Sequence, residues 1–389
     1  MSAERSHALL SASSASRWLV CSPSARLEEQ FPDVESDYAK EGSLAHEICE
    51  LKIRQHFVKK QSAATYKKKL KRLQEDPLYE KEMDGYTDEY LDYVSGIVHG
   101  FDSPPYIAVE KRLDYSHVVP EGFGTGDCII IGGDTMHVID FKYGKGVPVK
   151  AEGNPQMKLY AAGALKEYEI LYPVEKIMLH IVQPRNDHNN SGLIYKEELE
   201  SWLNAVVKPG AQQAWNGEGE YRPSEETCRF CRAKATCRAR SEQNLELAKE
   251  EFKKPPLLSA EEVGPILQKA KDLKAWAADL EEWALKEVLS GGTVPGWKAV
   301  EGRSVRKFAD QDKAFQILAC SGMIEEEMLY VRKPHTLSEI EKMLGKKEFR
   351  ELLADQVVKP PGKPTLAPEE DQREPITLQT SAEEDFKEE

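Results

Sequence analysis

The stretch from Pro104-Pro105 to Gln183 constrains the fold more than any other part of the chain. Tyr106–Leu113, Gly126–Ile131 and Thr135–Phe141 are short β-type runs, with Gly122, Gly124, Gly132 and Gly133 as turn residues between them. Asn154–Tyr168 then has a helical pattern, and Lys176–Gln183 (KIMLHIVQ) reads as a buried strand. Strand and helix thus alternate within eighty-odd residues, which excludes an all-helical chain.

Around this block the sequence is mostly helical. Arg17–Glu29 and Glu41–Phe57 read as helices, the second with Ser43 as N-cap and Glu47 on its first turn. The basic stretch to Leu73 continues as helix or charged loop. Pro77 interrupts, and Tyr79–Val98 resumes with Met83, Tyr86, Tyr90 and Tyr93 three or four apart. Glu197–Trp215 is helical. Lys253-Lys254-Pro255-Pro256 marks a linker, after which Ser259 caps a long helix, Ala260–Leu289, ended by Gly291-Gly292. Trp297–Phe308 has the look of a short hairpin, and Gln311–Leu353 is mostly helical. Trp276 and Trp283, seven apart on the long helix, suit core or interdomain contacts. A length of 389 residues predicts two packed units rather than one.

Net charge is −14, from 53 basic and 67 acidic side chains, which taken alone disfavours a polyanionic partner. The charges sit unevenly, however. Leu51–Gln74 holds nine basic residues, among them Lys67, Lys68, Lys69, Lys71 and Arg72, and no acid. Residues 366–389 hold nine acids against two bases, so this tail supplies −7 of the total. An acidic, proline-containing tail of that kind is read as disordered. No run of eighteen apolar residues occurs, so no membrane span is expected. The opening MSAERSHALLSASSAS has no basic start followed by an apolar stretch, which points to a cytoplasmic protein. Seven cysteines, an odd number, do not suggest a disulfide framework. Cys49, Cys128 and Cys320 stand alone and read as small buried hydrophobes, whereas Cys228, Cys231 and Cys237 cluster and Cys21 lies far upstream.

The chemistry gathers at Gly126-Asp127 and Val138-Ile139-Asp140-Phe141-Lys142. Residues two apart on a strand share a face, so Asp140 and Lys142 project together. If the two runs pair as a hairpin, Asp127 joins them. Two acids and the Phe141 carbonyl are hard oxygen ligands suited to Mg²⁺ or Mn²⁺. The lysine would orient a water or neutralise charge developing on a phosphate. An Asp-x-Lys triplet alone is also a common salt-bridged strand end. Gln156 and Tyr160, four apart on a helix, share one face and would hold a phosphate or a flanking nucleotide. His46 sits in the first turns of its helix; a lone histidine more often serves structure than chemistry. Gly122-Phe-Gly124-Thr-Gly126-Asp127 imitates a nucleotide-binding glycine loop but leads into a strand, not a helix, and is set aside. His188-Asn189-Asn190 reads as a polar turn.

Taken in order, His46, Asp127, Asp140-x-Lys142 and Gln156-x-x-x-Tyr160 resemble the PD-(D/E)XK nuclease superfamily, and within it the RecB-like branch. Gly124 keeps that branch's glycine three residues before the acid, although Gly126 directly precedes it. The resemblance covers roughly residues 10–240. It implies a restriction-endonuclease-like α/β core, a mixed central sheet flanked by helices. It further implies a Mg²⁺- or Mn²⁺-dependent deoxyribonuclease, an exonuclease acting on single-stranded DNA or DNA with free ends. Asp127, Asp140, His46 and the Phe141 carbonyl would hold the metal, Lys142 would stabilise charge, and Gln156 and Tyr160 would position the backbone.

Cys21, followed after the core by Cys228-x₂-Cys231-x₅-Cys237, resembles the iron–sulfur staple of the CRISPR-associated RecB-like exonucleases and of AddB-type subunits. The implied cofactor is a [4Fe–4S] cluster, with structural Zn²⁺ as the alternative that the spacing allows. Residues 259–365 resemble the C-terminal part of a phage and prophage family carrying this core, which implies a bacterial host cell and phage recombination or replication proteins as partners. The expected layout is a nuclease domain over 1–245, a linker over 246–258, a mainly helical domain over 259–365 and the tail over 366–389. Lys67, Lys68, Lys69, Lys71 and Arg72 are candidate DNA contacts. The rival reading is a nuclease fold without turnover, retained to bind DNA or dock a partner.

Overall fold

The computed structural model describes residues 8–33, 36–250, 260–300, 310–320, 329, 336–353 and 356–357. Its centre is a five-stranded mixed sheet in the order β1 (Tyr106–Asp114), β2 (Phe123–Gly132), β3 (Thr135–Phe141), β4 (Lys176–Gln183) and β5 (His188–Tyr195). The β1–β2, β2–β3 and β4–β5 pairs are antiparallel and β3–β4 is parallel. A parallel pair needs a crossover, and the helix over 155–168 supplies it.

The helices in chain order are α1 (Ala15–Trp18), α2 (Ser24–Glu28), α3 (Asp37–Ile53), α4 (Ala63–Gln74), α5 (Glu82–His99), α6 (Pro155–Tyr168), α7 (Lys196–Trp202), α8 (Lys208–Asn216), α9 (Glu225–Cys228), α10 (Arg238–Glu250), α11 (Ala260–Leu289), α12 (Gln311–Cys320), α13 (Leu337–Leu344) and α14 (Lys346–Leu353). Alternation along the strands splits the core into two layers. Ile129, Ile131, Met136 and Val138 face α6 and its neighbours on one side. Cys128, Ile130, Ile139 and Phe141 face α3 and α5 on the other.

The bounds of β3 and β4 fall where the sequence predicts them. So do those of α11, and Asn154 caps α6 over the expected stretch, whereas other expectations are corrected. Arg17–Glu29 is not one helix: a turn holding Cys21 separates α1 from α2, with Pro23, which has no N–H to donate, just before Ser24. Ser36, not Ser43, caps α3, its side chain accepting from the Ala39 N–H. Ser43 lies about two turns inside and donates back to the Ala39 carbonyl. His188-Asn189-Asn190 is no turn but the start of edge strand β5, whose first outward positions, Asn189 and Ser191, are polar. A strand with one wet face and few apolar residues gives little period to detect.

The chain divides into two compact units, 1–314 and 315–389. In the second, Thr336 opens α13 with a capping box to Glu339, and Phe349 of α14 is buried. In the first, α11 docks on the segment after α9. Arg240, 2% exposed, binds Asp272 at 2.9 Å and Asp279 at 2.7 Å, and Trp276 Nε1 donates to the Ala235 carbonyl. Trp276 is accordingly buried. Trp297–Val300 forms no strand. The remainder of the expected hairpin, with Arg303, Arg306 and Lys307, lies outside the described residues, as do 251–258 of the linker, Ser259 and the whole 366–389 tail.

Candidate metal centre and active site

The register of the sheet builds the site. Between the Val109–Cys128 and Lys111–Gly126 pairs, Glu110 stands across from Asp127. One step past Cys128–Ile139, Asp127 in turn stands across from Asp140. Three carboxylates on three adjacent strands thus form one lateral row. Main-chain pairing of β2 with β3 stops at Cys128–Ile139, and the Phe141 N–H donates instead to Asp127 Oδ2 at 2.7 Å. His46 reaches the same carboxylate from α3, its Nδ1 lying 3.3 Å from Asp127 Oδ1. The His46 ring meets the buried Phe141 ring edge-on, at 5.4 Å between centroids.

Lys142, one residue beyond β3, continues the parallel pairing by donating its N–H to the Val182 carbonyl. Its Nζ lies 2.9 Å from Asp140 Oδ2 and donates to Gln156 Oε1 at 3.3 Å. Gln156 Nε2 donates to Asp140 Oδ1 at 3.1 Å and to the Tyr160 hydroxyl at 3.3 Å. Asn154 caps α6 through Gln156 N–H and Met157 N–H, which fixes the first turn that carries Gln156. Gly124 explains how Tyr160 fits: a Cβ there would lie 2.8 Å from the Tyr160 ring, so only glycine leaves the ring room against β2.

The electrostatics are those of crowded acids around two cations. Burial would depress His46, but Asp127 and Asp140 outweigh it and raise its pKa to about 9. Burial would raise Asp127, yet His46 and the Phe141 N–H hold it low. Asp140 is raised by burial and by Asp127, only partly offset by Lys142. Burial and Asp127 lift Glu110 to about 7.

Glu110 is the residue that sequence reasoning missed. Its ligand atom, with those of His46 and Asp127, belongs to a set lying within 4.8 Å of one another. Its φ of +48° is left-handed, a conformation that costs a non-glycine residue about 1–2 kcal/mol. Strain of that kind is held where a side chain must be aimed.

Cys21, Cys228, Cys231 and Cys237 line one pocket together with Arg17 and Lys234. The Arg222 N–H donates to Cys21 Sγ at 3.4 Å. Burial, with Glu28 nearby, pushes the Cys231 thiol up to about 12. Cys49 and Cys128 are buried apolar fillers, and Cys320 is exposed. Lys67, Lys68, Lys69, Lys71 and Arg72 all lie exposed on α4, with Lys71 facing Glu75 at 3.9 Å. Leu70 and Leu73 seat that helix on the α3–α5 layer.

Fold and site together define a helix-flanked mixed-sheet protein with a carboxylate–histidine–lysine centre. The chain belongs to the family described as Protein of unknown function (DUF2800), whose model matches residues 7–374. Among solved structures it is similar to "Crystal structure of SSO0001", at 17% identity and a TM-score of 0.22, over 56% of this chain and 95% of that one. No helix among the described residues is long and apolar enough to cross a membrane.

Proposed function

We propose that this chain is a Mg²⁺- or Mn²⁺-dependent deoxyribonuclease of the PD-(D/E)XK type, RecB-like, that hydrolyses phosphodiester bonds at DNA ends. One observation carries the reading: β2, β3, α3 and α6 bring together the His46–Asp127 pair and the Asp140–Lys142–Gln156–Tyr160 group, joined where the Phe141 N–H donates to Asp127. The salt-bridged strand end, the bland account of Asp140 and Lys142, explains neither the Gln156–Tyr160 extension nor the carboxylate row.

The donors fit a hard divalent ion: the carboxylates of Glu110 and Asp127 and the imidazole of His46 have ligand atoms within 4.8 Å of one another, and Asp140 stands next to Asp127 across the β2–β3 register. Asp140 Oδ2 is buried without an aligned hydrogen-bond donor, although Lys142 Nζ stands 2.9 Å away. Burial, with Asp127 beside them, shifts both Asp140 and Glu110 upward. Bound at His46, Asp127 and Asp140, the ion would polarise the phosphate and acidify a water. Lys142 places a fixed positive charge where negative charge grows at phosphorus. Gln156 and Tyr160 offer an amide and a hydroxyl to the DNA backbone.

The four cysteines lining one pocket support a shared ligand, for which we propose [4Fe–4S], with Zn²⁺ the rival. It would tie the turn after α1 to the segment after α8, closing the domain. A setting in phage recombination or genome processing follows from the resemblance.

The test is cleavage of 5′- and 3′-labelled single- and double-stranded DNA with Mg²⁺ or Mn²⁺ by wild-type, Asp140→Ala and Lys142→Ala proteins. Wild type is expected to cut, and each variant to lose about 100-fold or more. Undiminished cleavage by both variants, or none by wild type, overturns the reading in favour of a binding module.

A further inference from the structure

Between Lys142 and α6 the chain runs through residues 143–154 with neither helix nor strand. Its two ends carry Lys142 and Gln156, which must meet at Asp140. Two amide side chains of the sheet nevertheless fix its backbone. Gln183, the last residue of β4 and 2% exposed, donates Nε2 to the Gly144 carbonyl at 3.0 Å and the Val147 carbonyl at 3.1 Å. Its Oε1 accepts from the Val149 N–H at 3.2 Å. Asn190 of β5 donates Nδ2 to the Val149 carbonyl at 2.8 Å and accepts with Oδ1 from the Ala151 N–H at 2.6 Å.

The cradle is itself anchored and close-fitting. The Gln183 N–H donates to Asn189 Oδ1 at 3.0 Å. A Cβ on Gly192 would come within 3.0 Å of Glu152 Cα, so β5 and the segment meet backbone to backbone. Beyond this, Asn154 joins the segment to α6, donating to the Lys150 carbonyl and accepting from the Gln156 N–H. A buried amide whose groups all bind irregular backbone supplies the hydrogen bonds that regular structure would otherwise give.

We infer that Gln183 and Asn190 are positioning residues, holding segment 143–154 so that Lys142 and Gln156 converge on Asp140. They touch none of the reacting groups and act through the main chain. In its kinetic consequence this rests on the nuclease reading; the holding itself does not. Misplacing catalytic groups by about 1 Å costs up to ~100-fold in rate, and such a loss falls on kcat when binding groups elsewhere are untouched.

The experiment compares wild type with Gln183→Leu, Asn190→Leu and Asn190→Asp. Amide hydrogen exchange is followed over 143–153 and over β3 and β4, and cleavage of end-labelled DNA is measured with Mg²⁺. Asn190 lies only partly buried on an edge strand, so its variants remain informative should Gln183→Leu misfold. The leucine variants are expected to exchange ~10-fold faster in 143–153 with β3 and β4 unchanged. Their kcat should fall ~10- to 100-fold with KM within ~3-fold. Asn190→Asp, which keeps the acceptor for Ala151, should lie between. Unchanged exchange in every folded variant overturns the holding role with the nuclease reading intact. Faster exchange with kcat unchanged overturns the positioning role. Wild-type protein that leaves DNA uncut removes the nuclease reading and the kinetic role together, while exchange still decides the holding role.

Discussion

His46 holds its proton above the ordinary histidine range because Asp127 and Asp140 face it, and the proposed metal would have to displace that proton. In the metal-free protein its pKa stands at about 9 against an ordinary 6.5. Its contribution to stability is therefore complete below the unfolded value and is lost as pH rises through 9. Glu110, raised to about 7, works in the same sense over a lower window: its contribution is complete below its unfolded value and is lost as pH rises through 7. A ligating imidazole must be neutral and a ligating carboxylate ionised, so Mn²⁺ binding should release protons. Apparent affinity is expected to rise about tenfold per pH unit for each proton displaced. Calorimetric Mn²⁺ titration near neutral pH, in buffers of different ionisation enthalpy, should show release of about one proton or more, and His46→Ala should flatten the dependence. Proton-neutral, pH-independent binding would rule out His46 as a ligand. The residues behind this behaviour differ in how legible they were. His46, Asp127, Asp140, Lys142, Gln156 and Tyr160 each belong to a spacing that can be read along the chain. Glu110 does not, because its place beside Asp127 depends on a register set across the eight-residue connection 115–122, and longer connections do not fix register by their length.

At the scale of elements, strands with a full apolar run were legible and those defined by pairing were not. Lys176–Gln183 is buried on both faces and has its expected bounds. His188–Tyr195 owes its strand to β4 alone. The cysteines belong to this scale too, since each comes from a short element that would hold little structure by itself: the turn between α1 and α2, the four-residue α9, and the turns before α10. Burial of Arg240 against Asp272 and Asp279 then ties that segment to α11. Protein purified anaerobically is expected to be brown, with iron and sulfide in equal amounts, and Cys231→Ser should bleach it. Loss of the ligand should loosen the turn at Cys21 and the 228–237 segment together, as faster amide exchange, because one ligand would hold both. A colourless wild type with stoichiometric zinc would replace iron–sulfur by a zinc staple; metal-free protein with the same exchange would remove the staple altogether.

For the whole molecule, the charge of −14 says less than its distribution. Half of it belongs to the last 24 residues, with −7 over 366–389, and part of the rest is the carboxylate row that a divalent ion would neutralise. Against this, α4 presents Lys67, Lys68, Lys69, Lys71 and Arg72 on its exposed side and packs by Leu70 and Leu73 onto the layer containing α3, the helix that carries His46. A cationic face joined so directly to the site would let an acidic protein hold DNA there and repel it elsewhere. Cation–phosphate contact has a signature that a merely solvated helix lacks: each contact adds about 0.9 to the slope of log affinity against log salt. In an Asp140→Ala background, which keeps the DNA uncut, replacing Lys67, Lys68, Lys69 and Arg72 by Ala should reduce that slope by roughly 3 to 4 if all four contact phosphate. The affinity loss should be similar for unrelated sequences, because phosphates carry no sequence information. Fluorescence anisotropy with a labelled duplex bearing free ends, over a tenfold range of salt, measures both. A slope unchanged by the four substitutions would make α4 an ordinary wet face, and the DNA path would then have to run over the segment 143–154 with Lys145 and Lys150.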